Sequence, residues 1–111
     1  MLRAERLVRN QILRRAFNES IADAASTFDD AREPGMYEFI CECKSRSCST
    51  MLMLRTAEYD EVRADPHAFV VAHGHEQEAI ERVVVRRPRY LVVVKFHPEP
   101  MRLAIETDPR R

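Results

Sequence analysis

All three cysteines of this 111-residue chain fall within eight positions, as Cys41-x-Cys43-x4-Cys48. No other feature constrains the local structure as tightly. On an extended strand residues i and i+2 share a face, so Cys41 and Cys43 present neighbouring sulfurs. The polar stretch Lys44 to Thr50 reads as a turn that returns Cys48 toward them. Three sulfurs on such a unit supply three corners of a tetrahedron, the geometry Zn²⁺ takes with thiolate and imidazole donors. The fourth corner must come from elsewhere. His73 and His75, in His73-Gly74-His75 just beyond a predicted strand, are the candidates, while His67 and His97 each adjoin a proline. The same thiols have two other readings. They are ordinary reduced side chains, or a redox pair joining Cys48 to Cys41 or Cys43, with Lys44 and Arg46 lowering a thiol pKa. A purely structural disulfide fits poorly, because three cysteines leave an odd thiol.

Residues 2–28 contain neither Gly nor Pro and are rich in helix formers, which predicts one long helix. Leu13, Phe17, Ile21, Ala24 and Phe28 follow i, i+4, i+8, i+11 and i+15, and this stripe is expected to face the core. Asp29 to Gly35 reads as a linker. Strands are predicted at Met36–Cys43, Met51–Leu54, Ala68–Ala72, Val83–Val85 and Tyr90–Phe96, the last two joined by a turn at Arg86–Arg89. Between them, Thr56 to Asp65 reads as a helix capped by Thr56 and stopped by Pro66, with Tyr59, Val62 and Arg63 on one side. From Pro98 the prolines and charges point to a tail, although Met101 to Ile105 are apolar enough to dock. The expected fold is α+β: a long N-terminal helix, then a small, mainly antiparallel sheet of three to five strands with one covering helix. The expected organisation is helix and linker over 1–35, a small α+β domain holding a Cys3His site over 36–97, and a tail over 98–111.

Eighteen basic and eighteen acidic residues cancel, which removes the bulk argument for a nucleic-acid or anionic-membrane binder. The apolar run Ala68–Ala72 has five residues, against the roughly 20 a membrane helix needs. Charges recur through the first 15 residues and break any signal-peptide core, so a cytoplasmic protein without a membrane partner is expected. Local charge is more informative. Residues 1–15 carry five arginines against the single acid Glu5, whereas 18–33 reverse the sign with Glu19, Asp23, Asp29, Asp30 and Glu33. Arg3, Arg6 and Arg9 at the helix start are therefore candidate partner-binding residues, and a homodimer through the leading helix is one way to cover its stripe. No complete catalytic motif is present. There is no Ser/His/Asp arrangement, no His-Glu-x-x-His and no glycine-rich phosphate loop, since Gly35 and Gly74 are the only glycines. His75-Glu76 lacks the intervening residue of a deaminase His-x-Glu, and no Pro-Cys-x-x-Cys follows. The expected function is a non-enzymatic, zinc-stabilised regulatory or adaptor protein that binds a protein partner. The alternatives are a nucleic-acid binder, using residues 1–15 with Arg82, Arg86, Arg87 and Arg89, and a thiol redox sensor.

Cys41-Glu42-Cys43-Lys44-Ser45-Arg46-Ser47-Cys48 is similar to the C-x-C-x4-C zinc segment that follows the SET domain of histone methyltransferases, where three cysteines share zinc with a fourth supplied elsewhere. The likeness covers those eight residues and implies a chelate, not methyl transfer. A broader pattern runs in order through Phe39-Ile-Cys-Glu-Cys43, Cys48, Glu58-Tyr59, Val62-Arg63-Ala-Asp-Pro66, Phe69-Val-Val71, Gly74-His75-Glu76, Glu81-Arg82-Val83 and Tyr90-Leu-Val-Val93. Together with Arg9-Asn10 and Phe17-Asn-Glu-Ser-Ile21, it resembles a group of small uncharacterised actinobacterial proteins. The resemblance implies that His75, in the Gly-His-Glu position, is the better fourth-ligand candidate. The chain departs from that pattern at His73, where the group has Pro, which keeps His73 as a rival.

Overall fold

The computed structural model describes residues 3–30 and 32–110, with side chains from Val8 onward. Among them α1 (Arg3–Ser26) is followed by β1 (Met36–Ile40), β2 (Met51–Arg55), α2 (Thr56–Arg63), β3 (Ala68–Val71), β4 (Glu81–Arg86), β5 (Leu91–Lys95) and α3 (Pro98–Glu106). The fold is α+β. Its strands divide into two antiparallel sheets rather than one, β1-β2 and β3-β5-β4. No helix among the described residues is long and apolar enough to cross a membrane.

Alternation along the strands sets the core. In β2 Leu52 and Leu54 point inward while Met51, Met53 and Arg55 point out. β3 is buried on both faces, consistent with its unbroken Ala-Phe-Val-Val. Phe39 of β1 stacks on Tyr59 of α2 at 4.6 Å, which joins the first sheet to its covering helix. Tyr59, Val62 and Arg63 form the buried side of α2. The start of that helix differs from expectation in one detail. Glu58 accepts the backbone N–H of Arg55 at 2.9 Å, while the Thr56 hydroxyl turns away to Asp29 at 2.9 Å. Residues 98–106 are also not a tail. Pro98 opens helix α3, which buries Pro100 and Ala104 and packs on α1.

The largest departure lies in α1. Leu13 and Phe17 are 60% and 56% exposed, Phe28 is 81% exposed, and Ala24 is also outside. The buried face is instead Val8, Gln11, Arg15, Asn18, Ala22 and Ala25, spaced i, i+3, i+7, i+10, i+14 and i+17. The helix period follows from the sequence, but of the expected stripe only the half-buried Ile21 packs against the core. The reason is that the rest of the fold offers this helix polar partners. Gln11 donates to Glu81 at 2.6 Å and to the Glu42 carbonyl at 3.1 Å. Lys95 donates to both Gln11 and Glu81, with all three side chains buried. Arg15 donates to the carbonyls of Pro66 at 2.9 Å and Ala104 at 2.8 Å, and its guanidinium lies over the Phe69 ring at 4.7 Å. Buried donors and acceptors that find one another in this way are tolerated, whereas any left alone would carry a full desolvation penalty.

That asymmetry generates a prediction. Lys95→Met leaves the buried Glu81 without its counter-ion, held only by Gln11 and the Gln77 amide, and is expected to destabilise the fold by about 3–5 kcal/mol in urea unfolding. Adding Glu81→Gln removes that charge and is expected to recover part of the loss.

Candidate metal centre

Strand β1 does not end the extended chain. Past Ile40 the backbone continues through Cys41–Cys43 and leaves β2 for the neighbourhood of β3. The Cys41 N–H still donates to Thr50 of the returning chain at 3.1 Å, while the Glu42 N–H donates to Val70 of β3 at 2.8 Å. This crossover delivers two sulfurs to the C-terminal end of β3. The extended backbone also sends Glu42 to the side opposite the sulfurs, as the two-residue period requires. There it accepts from Tyr59 at 2.6 Å, Asn18 at 2.8 Å and the Val70 N–H at 2.9 Å. Burial pushes its carboxyl upward and these hydrogen bonds oppose that shift.

At the end of β3 the chain reverses in the turn Ala72–His75, closed by the His75 N–H donating to Ala72 at 3.0 Å. Gly74 takes φ of 83°, a left-handed conformation that suits glycine at the third position of such a turn. The reversal sends the two imidazoles to different places. His73 is exposed and its Nε2–H donates to the Arg87 carbonyl at 2.7 Å, on the β4-β5 turn. His75 turns toward the cysteines, with Nδ1 3.5 Å from both Cys41 Sγ and Cys48 Sγ. His67 lies outside this group, beside Asp65 at 3.2 Å, and the His97 ring meets Phe96 at a tilt of 36°.

The potential ligand atoms of Cys41, Cys43, Cys48 and His75 all lie within 4.8 Å of one another, close enough to hold a metal ion. Bonds of roughly 2.3 Å to sulfur and 2.0–2.1 Å to nitrogen at a tetrahedral angle imply an S···N edge of about 3.5 Å. The two distances at His75 match that edge. Cys41 and Cys43 are buried, while Cys48 and His75 are half-buried at the rim. The centre is thus anchored in the core and reached from one side.

The electrostatics divide the thiols. Burial pushes Cys41 and Cys43 upward, the former despite the Ala72 N–H donated to its sulfur at 3.2 Å. At Cys48 burial also opposes ionisation, yet hydrogen bonds from the Thr50 amide and hydroxyl and from Cys43 and Cys41 carry its thiol down to about 6. Amides aimed at sulfur favour the ionised, metal-binding form, and a divalent cation between the sulfurs favours it further.

A residue not singled out in the sequence holds this loop. Arg14 donates to the carbonyls of Cys41 at 3.0 Å, Ser45 at 3.0 Å and Cys48 at 2.7 Å, so one guanidinium clamps both ends of the cysteine segment. Asn10 adds a weaker bond to the Cys43 carbonyl at 3.4 Å, and Asn18 both donates to and accepts from the backbone of Ile40. The available signal was the polar spacing Asn10, Arg14, Asn18 on one side of a predicted helix. Of the candidate partner-binding residues, Arg9 is exposed, whereas the side chains of Arg3 and Arg6 lie outside the described residues. Arg14 and Arg15, counted in the same basic cluster, are turned to internal carbonyls.

No family model matches this chain, and comparison with curated proteins and solved structures gives no match either.

Because Arg14 fixes the loop without touching a ligand atom, Arg14→Ala is expected to weaken metal binding by about 10–100-fold while leaving the cysteines in place. Arg14→Lys keeps the charge but loses the planar fork and is expected to fall near the alanine variant. Competition against a chromophoric chelator reads both.

Proposed function

We propose that this protein is a small, non-enzymatic adaptor or regulatory protein whose fold is held by zinc in a Cys3His site formed by Cys41, Cys43, Cys48 and His75. The observation that carries the reading is the convergence of four soft or borderline donors within 4.8 Å of one another, with His75 Nδ1 at 3.5 Å from two of the sulfurs. Thiolate and imidazole donors favour zinc over hard cations such as Mg²⁺ and Ca²⁺. Four protein donors complete the shell of a structural ion, which leaves no open position for substrate or activated water. The ion would tie the β1 extension, the loop after it and the turn after β3, three segments otherwise joined by few backbone bonds. In a small domain such a staple adds to the stability that the hydrophobic core supplies. The local likeness to C-x-C-x4-C zinc segments points the same way.

Near-stoichiometric zinc is expected in protein purified without added metal. Cys48→Ser and His75→Ala are expected to lose it, and His73→Ala to retain it. Metal binding and folding are coupled in such domains, so a strong chelator is expected to lower the melting temperature sharply, with recovery on zinc addition. Metal-free protein that keeps its melting temperature would defeat the structural reading.

One arrangement favours a second reading, a thiol redox sensor: Cys48 sits half-buried at the rim, and hydrogen bonds from Thr50, Cys43 and Cys41 carry its thiol down to about 6. The two readings diverge under alkylation and peroxide. A structural site predicts that zinc slows iodoacetamide labelling of Cys48 by more than about tenfold, since the coordinated thiolate is a poorer nucleophile than the free one. A sensor predicts that dilute peroxide takes two electrons from the zinc-loaded protein and forms a reversible disulfide from Cys48 to Cys43 or Cys41.

A further inference from the structure

The outer face of α1 is an apolar surface that the chain itself leaves open. Leu13 and Phe17 border a shallow depression completed by Asn10, Arg14, Ile40 and Cys48, and Phe28 stands 81% exposed just past the helix end. Between these large side chains the same face carries Ala16, Ser20 and Ala24, all exposed and all small enough for another helix to approach closely. Its charges are segregated along the axis. On the outer face the exposed Arg9 stands toward the N-terminal end and the exposed Asp23 toward the C-terminal end. Neither Arg9 nor the Asp23 carboxylate has a hydrogen bond or ion pair among the described residues, and both are exposed.

We propose that a second copy of this chain covers this face, through an antiparallel pairing of the two α1 helices about a twofold axis near Phe17. A twofold contact must be self-complementary, and this surface is. With Phe17 on the axis, Leu13 of one copy faces the Ile21–Ala24 region of the other. Arg9 then lies about two residues along the axis from its partner's Asp23, on the same flank of the interface. The pairing is repeated at the symmetric position. A parallel arrangement would instead place the arginines together. The proposal does not rest on the metal, since no ligand side chain except the rim sulfur of Cys48 borders the face.

The test is sedimentation equilibrium of the full chain as purified, with circular dichroism to follow the fold. A dimer is expected, and Phe17→Glu is expected to convert it to a folded monomer. Arg9→Glu and Asp23→Arg are each expected to weaken dimerisation about tenfold, more strongly at low salt. The double variant Arg9→Glu/Asp23→Arg is expected to restore it. Within one helix these positions are fourteen residues and roughly 21 Å apart, so only a contact between copies allows that rescue. A protein that stays monomeric up to about 100 µM, including one whose α1 face captures a different protein, overturns the proposal. So does a dimer that survives Phe17→Glu, or a double variant no better than either single one. Metal content measured on the same samples keeps a failed zinc assignment separate from a failed interface.

Discussion

Helix α1 is joined to the body of the protein by hydrogen bonds and buried charge more than by apolar packing. Gln11, Arg15 and Asn18 occupy the positions where a long amphipathic helix ordinarily places Leu or Ile. Their partners come from several segments: the Ile40 backbone at the end of β1 and Glu42 just past it, Glu81 and Lys95 on the second sheet, and Pro66 and Ala104 beside β3 and on α3. Such bonds are directional, so they fix the rotation and register of the helix more narrowly than a greasy stripe would. They are also unforgiving, because removing one partner strands the other without water.

The cysteine segment lies between this polar seam and the end of β3. On one side Arg14 and Asn10 hold its carbonyls. On the other, the Ala72 amide and the His75 ring face its sulfurs. Buried Glu42 sits between the two sulfurs in sequence and points to the opposite side, toward α1 and α2. A single extended stretch therefore carries the potential metal donors on one face and the anchor of the leading helix on the other. Any ion bound by the sulfurs would order the segment from which α1 takes its register, which links the candidate site to the exposed face of the helix.

Much of this architecture was legible in the residues, and the limits of that reading are instructive. The long helix, the five strands and the helix after Thr56 followed from periodicity and breakers, with boundaries moved by a few residues. Residues 98–106 were misread because Pro98 and Pro100 look like tail residues, although proline in a first helical turn costs no hydrogen bond. The face of α1 was misread because Leu13, Phe17 and Phe28 are the larger apolar residues, and a hydrophobic pattern alone counts them as core. The balanced spacing of Gln11, Arg15 and Asn18 carried the opposite message, but it has meaning only when their partners are known.

The chain by itself determined the element types and the common face of Cys41 and Cys43, because both depend on spacing within a few residues. It also favoured His73 or His75 over His67 and His97 as the candidate fourth donor. The choice between them was made by the Ala72–His75 turn, where the left-handed Gly74 sends one imidazole to Arg87 and the other to the sulfurs. Only the tertiary structure decided which side of α1 is inside. Glu42, Glu81 and Lys95 come from segments far apart in the chain, and the polar pocket that receives the helix exists only where those segments meet.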